Sequence, residues 1–282
     1  MTRMLRQPVE TRRSIMATKL LMAKSPAEAM DFKTAAAAFL AGGTEINRLG
    51  SHIAADADIL ISLKKCSGLN GIDADGNFVT IGSMCTFQQL TESDKVPEYL
   101  KEAARFMASR TKRNMATIGG NIAAMRTDSY LLPVLFAVCA RVDVLTAEGK
   151  QNICINSFME AAQAGEEMLI TAVIVPEKIK VVSKRYANTA QSHAVLTMSS
   201  AITEKGFTLA GAVKNCGIFR FRTFEDMIRK DPDISEEDAL AFFKGADSLK
   251  ISDDMFGSEE YKRYLMGVTA YDFCRKLVGK EV

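Results

Sequence analysis

Two segments with paired glycines constrain this chain more than any other feature. The first segment has the sequence Ala-Gly-Gly-Thr-Glu-Ile over residues 41–46, and the second has Thr-Ile-Gly-Gly-Asn over residues 117–121. Because glycine has no Cβ atom, its backbone N–H can come close to a bulky anion. Each segment also carries a threonine hydroxyl. Two such turns suit a ligand with two adjacent phosphates, and they therefore predict a dinucleotide site.

The common nucleotide-binding fingerprints are absent from the sequence. Neither segment carries the lysine of a P-loop, and the chain has no G-x-G-x-x-G motif. The 36 Lys and Arg residues nearly balance the 34 Asp and Glu residues, which leaves a net charge of +2 and no overall field that favours nucleic acid. No apolar run reaches the roughly 20 residues that a membrane-spanning helix needs. We therefore expect neither nucleic acid nor a membrane as a partner.

The cysteine and histidine residues do not form a recognisable reactive or metal-binding set. None of the six cysteines belongs to a C-x-x-C motif, so the pattern predicts no metal site and no disulfide scaffold. The two histidines, His52 and His193, stand outside any recognisable nucleophilic or metal-binding pattern. We therefore expect a reduced, cytoplasmic protein without a catalytic side chain.

Strand and cap signals predict alternating strands and helices in the first part of the chain. Ser25-Pro26-Ala27-Glu28 is a capping box, and it predicts an alanine-rich helix that ends near Leu40. A single helix is predicted over residues 98–109, and Ser129 is predicted to cap a helix from Tyr130. Further strands and hairpins are predicted at residues 20–22, 58–63, 73–81, 142–155 and 168–175.

A change in composition after Pro176 predicts a domain boundary. We expect residues 17–176 to form one domain with two subdomains, residues 177–282 to form a second domain, and residues 1–16 to be a disordered extension. The second domain is predicted to contain a hairpin around residues 204–206 and a helix from Ser235. A last helix from about Ser258 is predicted to bury a face that comprises Tyr261, Tyr264, Leu265 and Val268.

With both glycine segments in order, the chain resembles the FAD-binding subunit of molybdenum hydroxylases, a family that includes xanthine dehydrogenase and carbon monoxide dehydrogenase. Residues 41–45 are similar to the family's A-G-G-T-D, residues 117–122 match its T-I-G-G-N-I, and Leu131-Leu132-Pro133 also fits. The resemblance extends over nearly the whole chain from about Lys19. It implies FAD as the cofactor and an α+β fold, in which a two-subdomain PCMH-type FAD-binding region precedes a smaller C-terminal domain of sheet and helices.

The resemblance also implies which residues contact FAD. Backbone N–H groups of both segments and the threonine hydroxyls would hold the pyrophosphate. The family commonly has an aspartate where this chain has Tyr130, so Asp128 and Ser129 are expected to supply polar contacts, unless Asp128 merely caps a helix. Lys184 lies in a segment that aligns loosely with basic residues near the flavin. The implied contacts are Ala41, Gly42, Gly43, Thr44, Glu45, Ile46, Thr117, Ile118, Gly119, Gly120, Asn121, Asp128, Ser129, Tyr130 and Lys184.

In the family, FAD serves electron transfer between subunits. The resemblance implies that a molybdopterin-binding subunit hydroxylates the substrate, a purine such as xanthine, and that a [2Fe–2S] subunit relays the electrons. FAD on this chain would then pass them to NAD+ or another acceptor.

Two alternatives remain open from the sequence. A stand-alone FAD-dependent oxidase or reductase would need its own acid or base beside the flavin, and Tyr130, Asp128 and Lys184 are the candidates. A non-catalytic nucleotide-binding scaffold is the other alternative, because Tyr130 departs from the family pattern. Substrate-driven flavin reduction by the isolated chain would favour the first, and absence of flavin would favour the second.

Overall fold

The computed structural model of the protein describes residues 19–48, 57–107, 109–189 and 192–278. The extension predicted at residues 1–16 lies outside this part. The described residues form a mixed helix-and-sheet fold with three separate sheets, which confirms the predicted α+β class.

The first sheet is small and parallel. Its strands are β1 (Lys19–Met22), β2 (Ala37–Leu40) and β3 (Ile59–Ser62), in the order β1-β3-β2. Ser25 caps helix α1 (Pro26–Asp31) as predicted, since its hydroxyl accepts the N–H of Glu28. The helix does not continue to Leu40, however, and that prediction is wrong. The alanines of β2 pair with β3 instead, because pairing within a sheet outweighs even the high intrinsic preference of alanine for helix.

The second sheet is antiparallel and confirms the predicted hairpins. Its order is β4-β5-β8-β6-β7, and β4–β5 and β6–β7 are the two hairpins. The strands are β4 (Ile72–Ala74), β5 (Phe78–Gly82), β6 (Arg141–Thr146), β7 (Gly149–Cys154) and β8 (Leu169–Pro176).

Short helices connect and cover this sheet. They are α2 (Phe87–Glu92), α3 (Glu98–Arg105), α4 (Arg110–Met115), α5 (Ile118–Ala123), α6 (Leu131–Ala137) and α7 (Ile155–Gln163). The single helix predicted over residues 98–109 is wrong, because α3 ends at Arg105 and Ser109 caps α4. The second glycine segment was predicted as a turn, yet it forms the beginning of α5, which Thr117 caps.

The third sheet is antiparallel, with the order β12-β11-β10-β9. Its strands are β9 (Val181–Tyr186), β10 (Leu196–Thr203), β11 (Gly206–Val213) and β12 (Gly217–Arg220), and helices α8 (Arg222–Lys230), α9 (Glu236–Lys244) and α10 (Glu259–Leu277) accompany it. The hairpin and the start of α9 agree with prediction, whereas β12 was not predicted. β8 ends at Pro176 and the next strand belongs to another sheet; the domain boundary itself stays a prediction.

Helix α10 is rotated relative to the predicted buried face. Leu265 is buried as predicted and Val268 is partly buried, but the side chains of Tyr261 and Tyr264 are 48% and 54% exposed, and Met266 is buried instead. Lys262 is also fully buried, and its ammonium group donates to the carbonyl of Ser252 at 2.7 Å while it pairs with Asp254 at 3.0 Å. Because a buried lysine is tolerated when it is paired in this way, tertiary contacts rather than apolar spacing set the face of this helix.

Candidate cofactor site

The two glycine segments meet in one cleft, which we call the glycine cleft. The end of β5 and the beginning of β8 complete its wall. The residues that line it are Phe39, Ala41, Gly42, Gly43, Thr44, Glu45, Ile46, Leu63, Ser83, Met84, Thr117, Gly119, Gly120, Ala123, Ala124, Met168, Leu169 and Ile170. Most of the predicted contacts of the two segments therefore share one site, although they are some 70 residues apart in the sequence.

Two of the glycines allow the segments and the neighbouring strand to approach one another. A Cβ atom at Gly42 would lie 1.7 Å from the carbonyl oxygen of Met115, at the end of α4. A Cβ atom at Gly119 would lie 2.6 Å from the Cβ of Ser83. Both distances are far below van der Waals contact, so a side chain at either position would push the walls of the cleft apart. At these two positions the structure requires glycine for packing within the protein.

The first glycine segment supplies the hydrogen-bond donors of the cleft. Gly43 has a left-handed backbone with φ of +72°, and its carbonyl accepts the N–H of Asn47 at 3.0 Å, which closes a single helical turn. Among the described residues, no hydrogen bond involves the backbone N–H of Gly42, Gly43, Thr44, Glu45 or Ile46. Successive unpaired N–H groups in such a turn form a concave site for an anion.

The backbone N–H groups of residues 118–121 in the second glycine segment are already paired within the protein, so the expectation that they bind the ligand is wrong. Ile118 donates to the carbonyl of Cys85 at 3.0 Å, and Gly119 donates to the carbonyl of Ser83 at 2.9 Å. Gly120 donates to the hydroxyl oxygen of Thr117 at 3.1 Å, and Asn121 donates to the carbonyl of Thr117 at 3.0 Å. The segment therefore forms a firm wall of the cleft, with the Thr117 hydroxyl proton still available to a ligand.

Ser83 adds an unsatisfied hydroxyl to the same wall. The residue is 3% exposed, and its hydroxyl oxygen has no hydrogen-bond partner among the described residues. Leaving a buried hydroxyl unpaired costs about 1 to 3 kcal/mol. A polar ligand in the cleft would remove this cost, so Ser83 fits a site that is completed by a ligand.

A network of contacting charged side chains, Glu45, Arg48, Arg126, Asp128 and His193, begins at the edge of the cleft. The Glu45 carboxylate contacts Arg48, with 2.7 Å between Oε1 and Nη2, and Arg126, with 3.4 Å between Oε2 and Nη1. Arg126 donates two hydrogen bonds to the buried Asp128, at 2.8 and 2.6 Å. The Nδ1 atom of His193 lies 3.0 Å from the same carboxylate. This charged network thus links the first glycine segment to the loop before β10.

The surroundings shift the pKa values of Arg126 and His193 in this charged network. Burial lowers the pKa of Arg126, but hydrogen bonds and attraction from Asp128 and Glu45 outweigh burial and raise it overall. Burial also lowers the pKa of His193, against the attraction of Asp128. Because the net shift disfavours the charged form of His193, the firm ion pair in this network is the one between Arg126 and Asp128.

Asp128 and Ser129 are buried but already occupied within the protein. Both carboxylate oxygens of Asp128 accept hydrogen bonds from Arg126, so the interpretation of Asp128 as a helix cap is wrong. The hydroxyl oxygen of Ser129 accepts the N–H of Leu132 at 3.1 Å and caps α6, as predicted. The same hydroxyl lies 3.3 Å from the side-chain oxygen of Asn121.

Six predicted contacts do not line the glycine cleft: Asn121, Asp128 and Ser129, whose contacts are given above, and Ile118, Tyr130 and Lys184. Ile118 is fully buried in the core. The Tyr130 hydroxyl donates to the carbonyl of Ser192 at 3.1 Å, and the Arg185 guanidinium lies 5.1 Å from the centre of the tyrosine ring. Lys184 is exposed on β9, with its ammonium group 5.3 Å from the ring of Tyr186. Tyr130 therefore connects α6 to β9 and to the loop that follows it.

Sequence reasoning did not find Ser83 or Arg126. Ser83 follows β5 in a stretch without a motif, so only its neighbourhood with Gly119 reveals it. Arg126 stands two residues before Asp128, and that closeness was an available signal for an ion pair. Within the described ranges no cluster of His, Cys, Asp and Glu could hold a metal ion.

Comparison with known proteins identifies the family of the chain. A family model described as the FAD binding domain in molybdopterin dehydrogenase matches residues 16–178, more than half of the chain. The chain therefore belongs to this oxidoreductase family, and its cofactor is FAD. The site fits that cofactor, because the unpaired N–H groups of the first segment and the unpaired Ser83 hydroxyl suit a pyrophosphate-bearing ligand.

Individual relatives are similar over most of the chain. The uncharacterized protein YgfM of Escherichia coli (strain K12) is 29% identical over 238 residues, which cover 84% of this chain and 86% of YgfM. The nicotine 6-hydroxylase medium subunit of Paenarthrobacter nicotinovorans is 26% identical and covers 80% of this chain and 84% of its own. The carbon monoxide dehydrogenase medium chain of Afipia carboxidovorans is 30% identical over 57% of this chain and 61% of its own.

Solved structures share the fold at lower identity. Quinoline 2-oxidoreductase from Pseudomonas putida 86 aligns with a TM-score of 0.77 at 18% identity, over 93% of this chain and 97% of that chain. Carbon monoxide dehydrogenase from Hydrogenophaga pseudoflava aligns with a TM-score of 0.74 at 20% identity, over 90% and 94% of the two chains. In the described part of this chain, no helix is long and apolar enough to cross a membrane.

Proposed function

We propose that this chain is the FAD-carrying electron-transfer subunit of a multi-subunit molybdenum hydroxylase. The observation that carries the proposal is the glycine cleft, where a turn with unpaired N–H groups faces the capped beginning of α5. The family match and the relatives that are named medium subunits support it. In this proposal a partner subunit binds molybdopterin, and another carries the [2Fe–2S] clusters.

The proposed cofactor contacts divide into three kinds. The N–H groups of residues 42–46 bind the pyrophosphate, and the hydroxyls of Thr44, Thr117 and Ser83 donate further hydrogen bonds. Ala41, Gly119 and Gly120 form the wall without donating. Glu45, Asn121, Asp128 and Ser129 hold this arrangement together through the contacts described above.

Tyr130 and Lys184 remain proposed contacts for the flavin end of the cofactor, on the basis of the family resemblance alone. They lie beside the third sheet rather than in the glycine cleft.

The residues of this chain suit cofactor binding, and substrate selection is assigned to a partner subunit. Bound FAD can exchange electrons singly or in pairs, so it suits a position between [2Fe–2S] clusters and NAD+ or another acceptor. The lining of the glycine cleft contains no histidine, lysine or cysteine. The chain therefore binds and orients the cofactor, and we propose that the partner subunit selects the substrate, whether a purine such as xanthine or another compound.

The test is to purify the full chain with FAD and to record its absorbance spectrum before and after substrate is added anaerobically. We expect flavin bands in the isolated chain and no bleaching by xanthine, nicotine or an aldehyde. Bleaching is expected only after the molybdopterin and [2Fe–2S] subunits, identified by mass spectrometry of a gentle co-purification, are added back.

Two outcomes would contradict the proposal. Flavin reduction by substrate in the isolated chain would show a stand-alone FAD-dependent oxidase or reductase. An absence of flavin bands with no uptake of added FAD would show a non-catalytic scaffold.

A further inference from the structure

The proposed phosphate-binding turn contains a carboxylate, which is unfavourable for an anionic ligand. Glu45 is one of the five residues whose N–H groups are unpaired, and it lines the glycine cleft. A pyrophosphate bound to those N–H groups would carry negative charge a few ångströms from the Glu45 side chain. In a partly buried site, two like charges at such distances repel appreciably.

Two guanidinium groups offset the charge of Glu45, and they differ in how firmly they are held. Arg48 belongs to the same turn, and its side chain is 43% exposed. The side chain of Arg126 is 26% exposed and comes from the loop between α5 and α6. An exposed pair within one turn is mobile and screened by salt, so it contributes little.

Asp128 fixes the position of Arg126. Its side chain is 5% exposed, and its two oxygens accept the Nε and Nη2 protons of Arg126 in a forked, two-bond geometry. Such paired bonds orient a guanidinium more strictly than a single contact does. The remaining nitrogen, Nη1, is then the one that faces Glu45 at 3.4 Å.

We infer that Arg126 is a positioning residue for the phosphate-binding turn: anchored by Asp128, it neutralises Glu45 so that the turn accepts the FAD pyrophosphate. The inference rests on the proposed location of FAD in the glycine cleft. It assigns Asp128 a role through Arg126 rather than a direct contact with the flavin nucleotide. It also explains why a carboxylate is compatible with a phosphate-binding turn in this chain.

The test measures the affinity of the full-length apoprotein for FAD by quenching of flavin fluorescence. Arg126→Met is expected to weaken binding about tenfold, the size typical of coupling between residues in contact. Glu45→Gln alone is expected to leave the affinity equal or slightly higher. The double variant Arg126→Met/Glu45→Gln is expected to return to within about threefold of the unchanged protein, since the phosphate-binding turn then carries no carboxylate.

Two further variants separate charge compensation from folding. Arg126→Met leaves the buried Asp128 without its main partner and could destabilise the fold. The double variant Arg126→Met/Asp128→Asn removes the charge of Asp128 as well. It should show the same loss of FAD affinity as Arg126→Met, and adding Glu45→Gln to it should restore the affinity to the same extent. Arg105→Met, which removes an exposed arginine paired with Glu98, is the control for net charge and should bind FAD normally.

The outcomes distinguish this inference from the proposed function. If the unchanged protein does not bind FAD, the proposed function fails. If it binds FAD and Arg126→Met binds equally well, only the inference fails. If Arg126→Met weakens binding and Glu45→Gln does not restore it, Arg126 acts through the structure alone and the charge compensation is refuted.

Discussion

Ser83 illustrates what a single side chain contributes to the cleft. Among the described residues its hydroxyl has no hydrogen-bond partner, and neither has the hydroxyl of Thr197 in β10. Ser83 and Thr197 are each 3% exposed, so an unpaired hydroxyl carries a similar desolvation cost at both positions. They differ in that Ser83 lines the glycine cleft and Thr197 does not.

Ser83→Ala is therefore expected to weaken FAD binding without destabilising the apoprotein. A hydrogen bond to a charged group contributes about 1.5 to 3 kcal/mol, which corresponds to roughly 10- to 150-fold in affinity. Thr197→Val is the matched control and should leave the dissociation constant unchanged. Isothermal titration with FAD measures both. Equal affinities of Ser83→Ala and the unchanged protein would show that the hydroxyl does not contact the cofactor.

In the first glycine segment, Gly43 is required for its left-handed backbone conformation, whereas Gly42 is required for close packing. Its φ of +72° is close to the +77° of Gly68, which lies in open space. Alanine at either position costs about 1 kcal/mol of left-handed strain. Only at Gly43 would the added Cβ also meet Asn47, at 3.0 Å, within the proposed phosphate-binding turn.

We expect Gly43→Ala and Gly68→Ala to lower the melting temperature of the apoprotein to similar extents, and only Gly43→Ala to weaken FAD binding. Thermal unfolding and fluorescence quenching together check this. Similar FAD affinities in the two variants would place the phosphate site elsewhere. Gly120 is less suitable for such a test, because a Cβ there would lie 2.9 Å from the Thr117 hydroxyl and would disturb the cap of α5.

At the scale of elements, a buried ion pair ties the third sheet to helix α6. Glu225 of α8 is 5% exposed and accepts hydrogen bonds from Arg220 and from the N–H of Leu209 at 2.8 Å. Arg220, at the end of β12, also donates to the carbonyl of Phe136 in α6 at 2.9 Å. One guanidinium thus joins three elements, and removing it would leave a buried carboxylate with a single partner.

Arg220→Met is expected to destabilise the protein by about 3 to 5 kcal/mol, because breaking a buried pair leaves an uncompensated charge. Arg229, on the same helix as Glu225, forms an exposed pair with Asp226. Arg229→Met should change the free energy of unfolding by less than about 1 kcal/mol. Urea unfolding followed by circular dichroism compares them. Equal effects of the two substitutions would contradict a structural role for the buried pair.

At the scale of the whole molecule, α6 lies between the FAD-binding region and the third sheet. All seven residues of α6 are buried. Ala201 of β10 and Ala210 of β11 belong to the same hydrophobic core, and the Thr208 hydroxyl donates to the carbonyl of Ala137 at 2.6 Å. The chain changes sheets after Pro176, but the core does not end there.

A fragment that ends at residue 178, where the family match ends, is therefore expected to fold poorly. It would expose one face of the apolar helix α6 to water, so we expect increased binding of a hydrophobic dye and loss of a cooperative thermal transition. The full-length chain is the control. A fragment that melts cooperatively at the same temperature and binds FAD would show that the two proposed domains are independent.

The sequence by itself determined the family, the cofactor and most elements, because two short motifs, strong helix caps and hairpin turns act locally. Ser25, Ser235 and Ser258 each cap the helix that their surroundings predict. The predicted helix over the alanines of β2 and part of the predicted buried face of α10 were wrong. Pairing with the distant strand β3 makes the alanines a strand, and the buried Lys262–Asp254 ion pair helps to set the buried face of α10. Only the tertiary structure showed that the N–H groups of residues 118–121 are already paired, that Ser83 lines the cleft and that Arg126 contacts Glu45 at its edge. These properties depend on which segments the fold brings together, and local sequence patterns do not carry that information.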